Sequence, residues 1–205
     1  MPRDKTENHE KILAAAYEEF LEYGFNDASM RRIAAACDMS ASGLYKHFPS
    51  KEDMFAALVA PAYEGLIEQY FAEMDNELEL VDKNYIENLW DNNSDSEWII
   101  RYVYKHFNAF KLLVCRSQGT RYENYVHELA VLEEKSTKRY IRKMRALGAD
   151  IKMVPAKEYH LFVTTCINAI FETVVHDFTE KEALSYARHM DKFYAAGWKR
   201  LMLED

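Results

Sequence analysis

The stretch GFNDASMRRIAAACDMSASGLYKHFPSKEDMFAALV, Gly24–Val59, decides the fold. Gly24 stands where a preceding helix needs a left-handed residue in order to stop. Ser29 is placed to cap a short helix, Met30 to Cys37. Asp38 follows at a turn position, where Asp tolerates positive φ better than most residues. Ser40 is placed to cap a second short helix, Ala41 to Phe48, which Pro49-Ser50 ends. Ser50 opens a further helix, with Asp53 reaching back in a capping-box arrangement. Residues 29–48 therefore read as helix, tight turn, helix, the spacing of a helix-turn-helix.

Helical periodicity continues on both sides. Upstream, Ile12, Leu13, Ala16, Phe20 and Leu21 share one stripe of a helix spanning about Glu7 to Tyr23. Downstream, a helix is expected from Lys51 to Leu80, with Pro61 and Gly65 as possible kinks. A polar loop at 91–96 and a capping box, Ser94-x-x-Glu97, precede a helix expected from Trp98 to Ser117. After Gly119, helices are expected at Tyr122–Ala146, Ala156–Phe178 and Glu180–Leu203, with Gly148 and Pro155 marking a break. No segment reads as a strand. The fold class is all-α: a three-helix module over residues 1–52, then a helical bundle over 53–205.

Composition agrees. Of 205 residues 49% are apolar, and only six Gly and four Pro interrupt them, which suits long helices. The net charge is −8, yet Ala28–Lys51 holds four cations (Arg31, Arg32, Lys46, Lys51) against one anion, Asp38. Nucleic-acid affinity needs a cationic face and not a basic whole. Cys37, Cys115 and Cys166 are odd in number and widely spaced, which argues against a disulfide scaffold and a zinc site and fits a reducing cytoplasm. The opening MPRDKTENHE has no apolar core, so no secretory leader is expected. The longest apolar run, Phe55–Tyr63, is too short to span a membrane.

Gly24-Phe25, Ser29, Ile33-Ala34, Ser40, Leu44-Tyr45, His47-Phe48 and Ser50-Lys51 recur at intervals that resemble the DNA-binding module of the TetR family of bacterial transcriptional regulators. The resemblance covers residues of about 10 to 56. Ala28, Asp38 and Ser42-Gly43 depart from the family pattern, where Thr, Gly and Gly-Thr are usual. The resemblance implies a homodimeric, sequence-specific regulator on double-stranded DNA, most often a repressor, released from a near-palindromic operator by a small-molecule effector.

On that reading the helix opening at Ser40 enters the major groove. Ala41, Ser42 and Gly43 are small and permit close docking, and Lys46 and His47 are its long polar side chains. Lys46 is placed for a guanine edge or a phosphate. Tyr45 and Lys51 are placed for phosphates, with Lys51 at a helix N-terminus. Ser29, Arg31 and Arg32 open the helix that crosses the backbone. Leu44, Phe48, Ile33 and Ala34 belong to the core.

The last two helices carry apolar stripes, one with Phe162, Cys166, Ile170, Phe171 and Val174, the other with Met190, Tyr194, Trp198 and Leu201. Adjacent terminal stripes need cover; a two-fold partner supplies it, as the resemblance also implies. The aromatic middle region, with Trp90, Trp98, Tyr102, Phe110 and Tyr125, suits bundle core or an effector cavity, and Arg116, Gln118, Arg121 and Asn168 are polar groups placed to serve one. Cys115–Arg121 interrupts helical structure and is a candidate ligand-responsive joint.

Two other classes compete. An enzyme would need a site, yet no phosphate-binding glycine loop, nucleophile elbow or H-E-x-x-H occurs, and no cofactor or metal is expected. A helical small-molecule-binding or interaction protein that no longer binds DNA is the other alternative; the presence of Tyr45, Lys46 and Lys51 argues against it.

Overall fold

The computed structural model describes residues 5–81 and 95–203, and within these it contains helices and turns but no strand. The helices are α1 Lys5–Asp27, α2 Met30–Ala36, α3 Ala41–Leu44, α4 Lys51–Leu80, α5 Asp95–Lys105, α6 Phe107–Arg116, α7 Tyr125–Ala146, α8 Ala156–Val175 and α9 Glu180–Leu203. No described helix is long and apolar enough to cross a membrane. Trp90 and the expected cap at Ser94 lie outside the described residues.

The chain forms two compact units. One joins Met1–Gly65 to His106–Glu123; the other joins Leu66–Lys105 to Asn124–Asp205. The sequence suggested a single cut between residues 52 and 53, but the units follow packing, and packing returns residues 106–123 to the amino-terminal unit.

In the first unit α1 buries Ile12, Ala16 and Phe20 completely, the same stripe that its periodicity marked. Gly24 takes φ 71° and breaks α1 near its end, so Phe25 turns inward. Phe20, Phe25 and Phe55 then meet with centroids 5.2–6.0 Å apart, two of the three pairs edge-on. Each fully buried Phe is worth roughly 1.5–3 kcal/mol of transfer free energy. Helix α6 packs on α1 and buries Phe110, Leu112 and Leu113.

The segment after α6 is tied to this unit by polar contacts. Arg116 Nε donates to the Leu21 carbonyl at 2.7 Å, closing an α1 backbone acceptor. The Arg121 backbone N–H donates to Glu52 Oε1 at 3.1 Å. Gly119, at φ +85°, lies so close to Asn26 that a Cβ there would sit 2.4 Å from its side-chain oxygen. Tyr122 adjoins the rings of Phe55 and Tyr63.

Among the helix boundaries that differ from expectation, two have a clear physical cause. The helix expected from Trp98 to Ser117 is two helices, broken at His106, which leaves helical geometry at φ −113°, ψ 32°. The reason is packing: Ile100 and Val103 of α5 are buried, and Phe110, Leu112 and Leu113 of α6 are buried in a different unit. Helix α7 begins at Tyr125 and not Tyr122, because Thr120 accepts from the Tyr122 N–H and donates to the Ser117 carbonyl, holding 117–122 in turns.

In the second unit α7 packs on α8, and α9 packs on α5 and α8. One apolar cluster gathers Ala130, Ile141 and Met144 of α7 with Tyr159 and Val163 of α8 and Met202 of α9. A second gathers Ile100, Ile170, Ala183, Ala187 and Met190.

Candidate functional site

The helix-turn-helix is built by backbone chemistry that the sequence advertised. Asp38 adopts φ 56°, the left-handed turn, and its carboxylate pairs with Lys11 of α1 at 3.1 Å. Ser40 caps α3 by accepting from the Gly43 N–H at 3.1 Å and also contacts the Ser42 hydroxyl. A Cβ at position 43 would stand 3.2 Å from Ser40 Oγ, so glycine keeps this cap compact. Helix α3 ends at Leu44, and tighter turns carry the chain to Phe48 through bonds from Lys46 N–H to Gly43 and His47 N–H to Leu44. Leu44 and Phe48 are buried. Ser50 caps α4 and exchanges hydrogen bonds with Asp53, at 3.0 Å from its N–H and 2.7 Å to its carboxylate.

This geometry sorts the expected DNA-contacting residues into two groups. Arg31, Ser40, Ser42, Tyr45, Lys46 and His47 are exposed, and Ala41 and Gly43 lie half-buried beside them. Tyr45 exposes 48% of its surface, while its neighbour Leu44 is buried. The second group is engaged within the unit. Arg32 is clamped by Glu19 at 2.8 Å, donates to the Asp27 carbonyl, and lies over the Tyr23 ring. Lys51 donates to the carbonyls of Asn26 and Ala28 at 2.9 and 3.2 Å and lies over the Phe25 ring. Ser29 occupies the N-cap position of α2, but its side chain makes no capping bond; its N–H is taken by Glu19 Oε1 at 2.7 Å.

Glu19 is the residue that sequence reasoning missed. It is 9% exposed and binds both Ser29 N–H and Arg32, so one carboxylate fixes the start of α2 against α1. Its partners lie ten and thirteen residues away, beyond the reach of local pattern.

The second unit contains a cavity of about 320 Å³. Residues of α4, α5, α7, α8 and α9 line it. Of the residues expected near an effector, Trp98 is on its wall. Tyr102, Tyr125 and Asn168 are not on it: Tyr125 is buried edge-on against Phe171, and Asn168 is exposed. Phe110, Arg116 and Arg121 belong to the first unit, where they pack or bond as described above. Residues expected to cover a partner are also divided. Cys166, Tyr194 and Trp198 line the cavity, and Ile170 does so while buried in the second cluster. Phe171, Val174 and Met190 are buried within the unit. Phe162 and Leu201 are exposed, together with Leu161 and Phe193, the last at 75%.

On the cavity wall, burial pushes the Cys166 thiol up to about 12. It also raises Tyr70 and Tyr159, with nearby Glu133 adding to both. These groups therefore stay protonated at neutral pH, and Tyr70 and Tyr159 donate to Glu133 and Thr137. Among the described residues no group of His, Cys, Asp and Glu side chains is arranged to hold a metal ion.

Residues 12–58 match the model of a family described as bacterial regulatory proteins, tetR family. That segment is thus similar to the amino-terminal segment of TetR-family regulators. Over 60 residues the chain is 40% identical to the HTH-type transcriptional regulator UidR of Escherichia coli (strain K12), taking in 29% of this chain and 31% of that protein. Over 67 residues it is 34% identical to the HTH-type transcriptional activator FasR of Mycolicibacterium smegmatis, taking in 33% and 30%. The match thus spans about a third of either relative's length. In structure, a Syntrophomonas wolfei protein assigned to the TetR-family transcriptional regulators covers 95% of this chain and 97% of its own, with a TM-score of 0.60 at 18% identity. That likeness extends the TetR fold past the module, into helices whose sequence carries no family motif.

Proposed function

We propose that this chain is a sequence-specific DNA-binding transcriptional regulator that works in the cytoplasm as a homodimer. The observation that carries the reading is the exposed set Tyr45, Lys46 and His47 beside small residues at the amino end of a capped helix. In a TetR module such a helix end reads the major groove. Residues 1–52 supply the DNA contacts, and residues 53–205 supply pairing and effector binding. Arg31, Ser40, Ala41, Ser42, Gly43, Tyr45, Lys46 and His47 meet DNA directly. Ser29 offers its hydroxyl to a phosphate, while Arg32 and Lys51 hold the module in shape and add positive potential.

Pairing uses the exposed apolar face of α8 and α9, centred on Leu161, Phe162, Phe193 and Leu201. Ala196 and Gly197 lie exposed on the same stretch of α9, and a Cβ at 197 would meet nothing. Small residues there let a second copy approach closely. Two modules then read half-sites about one DNA turn apart. The protein represses, and an effector in the cavity of the second unit releases it.

Selection of sites from random duplex DNA by the purified full chain tests the reading. The expected result is an enriched near-palindrome. Absence of enrichment at low salt, with and without candidate effectors, overturns it in favour of a helical binding protein that does not read DNA.

A further inference from the structure

The cavity in the second unit is acidic and aromatic. Its wall carries four carboxylates, Glu73 and Glu77 of α4, Glu133 of α7 and Asp191 of α9. Among the described residues none of its lining side chains is Lys, Arg or His. Three cations of α7 that follow Glu133 are engaged elsewhere. Lys138 pairs with Glu134, Arg139 with Asp75, and Lys143 donates to the Leu78 carbonyl.

Glu133 is held as an acceptor. Tyr70 donates to Oε2 at 2.5 Å, Thr137 donates to Oε1 at 2.9 Å, and Tyr159 in turn donates to Thr137 at 2.8 Å. The donors converge on one carboxylate and spread its charge along the wall. Asp191 is bonded to Ser96, yet its Oδ2 is buried without a hydrogen-bond partner, an arrangement that costs free energy unless something arrives to satisfy it. Around these carboxylates stand Trp98, Trp198, Tyr140 and Tyr194, with Met74 and Met144 completing an apolar floor. Aromatic faces attract cations, and a low-dielectric wall strengthens the field of each carboxylate.

We propose that this cavity binds an organic cation, a protonated or quaternary amine carried on an aromatic or bulky apolar body, with Glu133 and Asp191 as its counter-charges. The proposal rests on the effector reading of the cavity. Its volume lies at the lower end of ligand sites, which range over roughly 300–1,000 Å³, so the ligand is compact. An anion of the same shape meets four carboxylates and no compensating cation on the described wall.

The test uses three probes with one ring system and different charge: 1-naphthylmethylamine, 1-naphthylmethanol and 1-naphthaleneacetate. Each is titrated into the full chain by calorimetry at neutral pH, without DNA. The ammonium probe is expected to bind most tightly and the carboxylate not measurably. Glu133→Gln and Asp191→Asn are each expected to weaken the ammonium probe about tenfold, the scale of one lost charged hydrogen bond, and to leave the neutral alcohol unchanged. Circular dichroism melts of both variants establish that they are folded, and either variant alone suffices for the comparison. Equal binding of all three probes, preference for the carboxylate, or no binding of the amine overturns the proposal. DNA binding by the unliganded protein is measured separately. A chain that reads DNA but rejects the amine keeps its regulatory function and loses this ligand class; one that binds the amine but not DNA does the reverse.

Discussion

The two units use charge in opposite ways. In the amino-terminal unit, carboxylates serve the fold: Glu19 clamps Ser29 and Arg32, Asp38 pairs with Lys11, and Glu52 receives the Arg121 N–H. Arg31, Lys46 and Tyr45 are exposed. In the second unit, carboxylates line a cavity without cationic company on the described wall. The contrast teaches that net charge says little about function here. An acidic chain exposes Arg31 and Lys46 on one unit and gathers four carboxylates around a cavity in the other.

The largest expected effect lies in the aromatic knot of the first unit. Phe55→Ala removes a fully buried ring from contact with Phe20, Phe25 and Tyr122, and should cost about 3–5 kcal/mol in urea denaturation. Loss of DNA binding with the cavity's probe affinity retained would show that the units tolerate damage separately. Simultaneous loss of both would break the comparison by making them one cooperative body.

Glycines sharpen it next. Gly119 of the first unit and Gly148 of the second both have positive φ, +85° and +98°. A Cβ at 119 would collide with Asn26, whereas one at 148 meets nothing within 4 Å. Gly119→Ala should therefore cost clearly more than Gly148→Ala, on the order of 2–3 against 1 kcal/mol. Equal losses in thermal melts would mean that backbone strain alone matters at both positions.

Lys46→Ala addresses the reading edge. Operator affinity should fall about tenfold, and if Lys46 meets a phosphate the slope of log K against log salt should shrink by about one. An unchanged slope with altered base preference would instead place Lys46 on a base edge.

The smallest effect concerns Asp191. Burial raises its pKa in the folded chain, so its ionisation opposes folding once pH exceeds the ordinary carboxylate range of about 4. Asp191→Asn should raise the melting temperature at pH 7, on the order of 2 °C, with the gain vanishing as pH falls below that range. A drop in melting temperature at pH 7 would show that the charge supports the fold and is not kept at its expense.

Legibility followed the same division. The caps at Ser40 and Ser50, the positive φ at Asp38 and the core stripe of α1 were readable, because each depends on neighbours within a few residues. The break at His106 was not, since the periodicity of 98–117 is continuous and only the burial of its halves in different units divides it. Cys166, Tyr194 and Trp198, expected to cover a partner, line the cavity instead, because a stripe on a helix announces burial but not against what.

The sequence by itself determined the helical class and the order of the elements, through caps, turn residues and periodicity that act over one or two turns of chain, and it carried the motifs that resemble a TetR module. Only the tertiary structure decided which cations stay exposed, where residues 106–123 pack, and which side chains enclose the cavity. Those outcomes depend on contacts between segments ten to more than a hundred residues apart, and no local pattern encodes the identity of a distant partner.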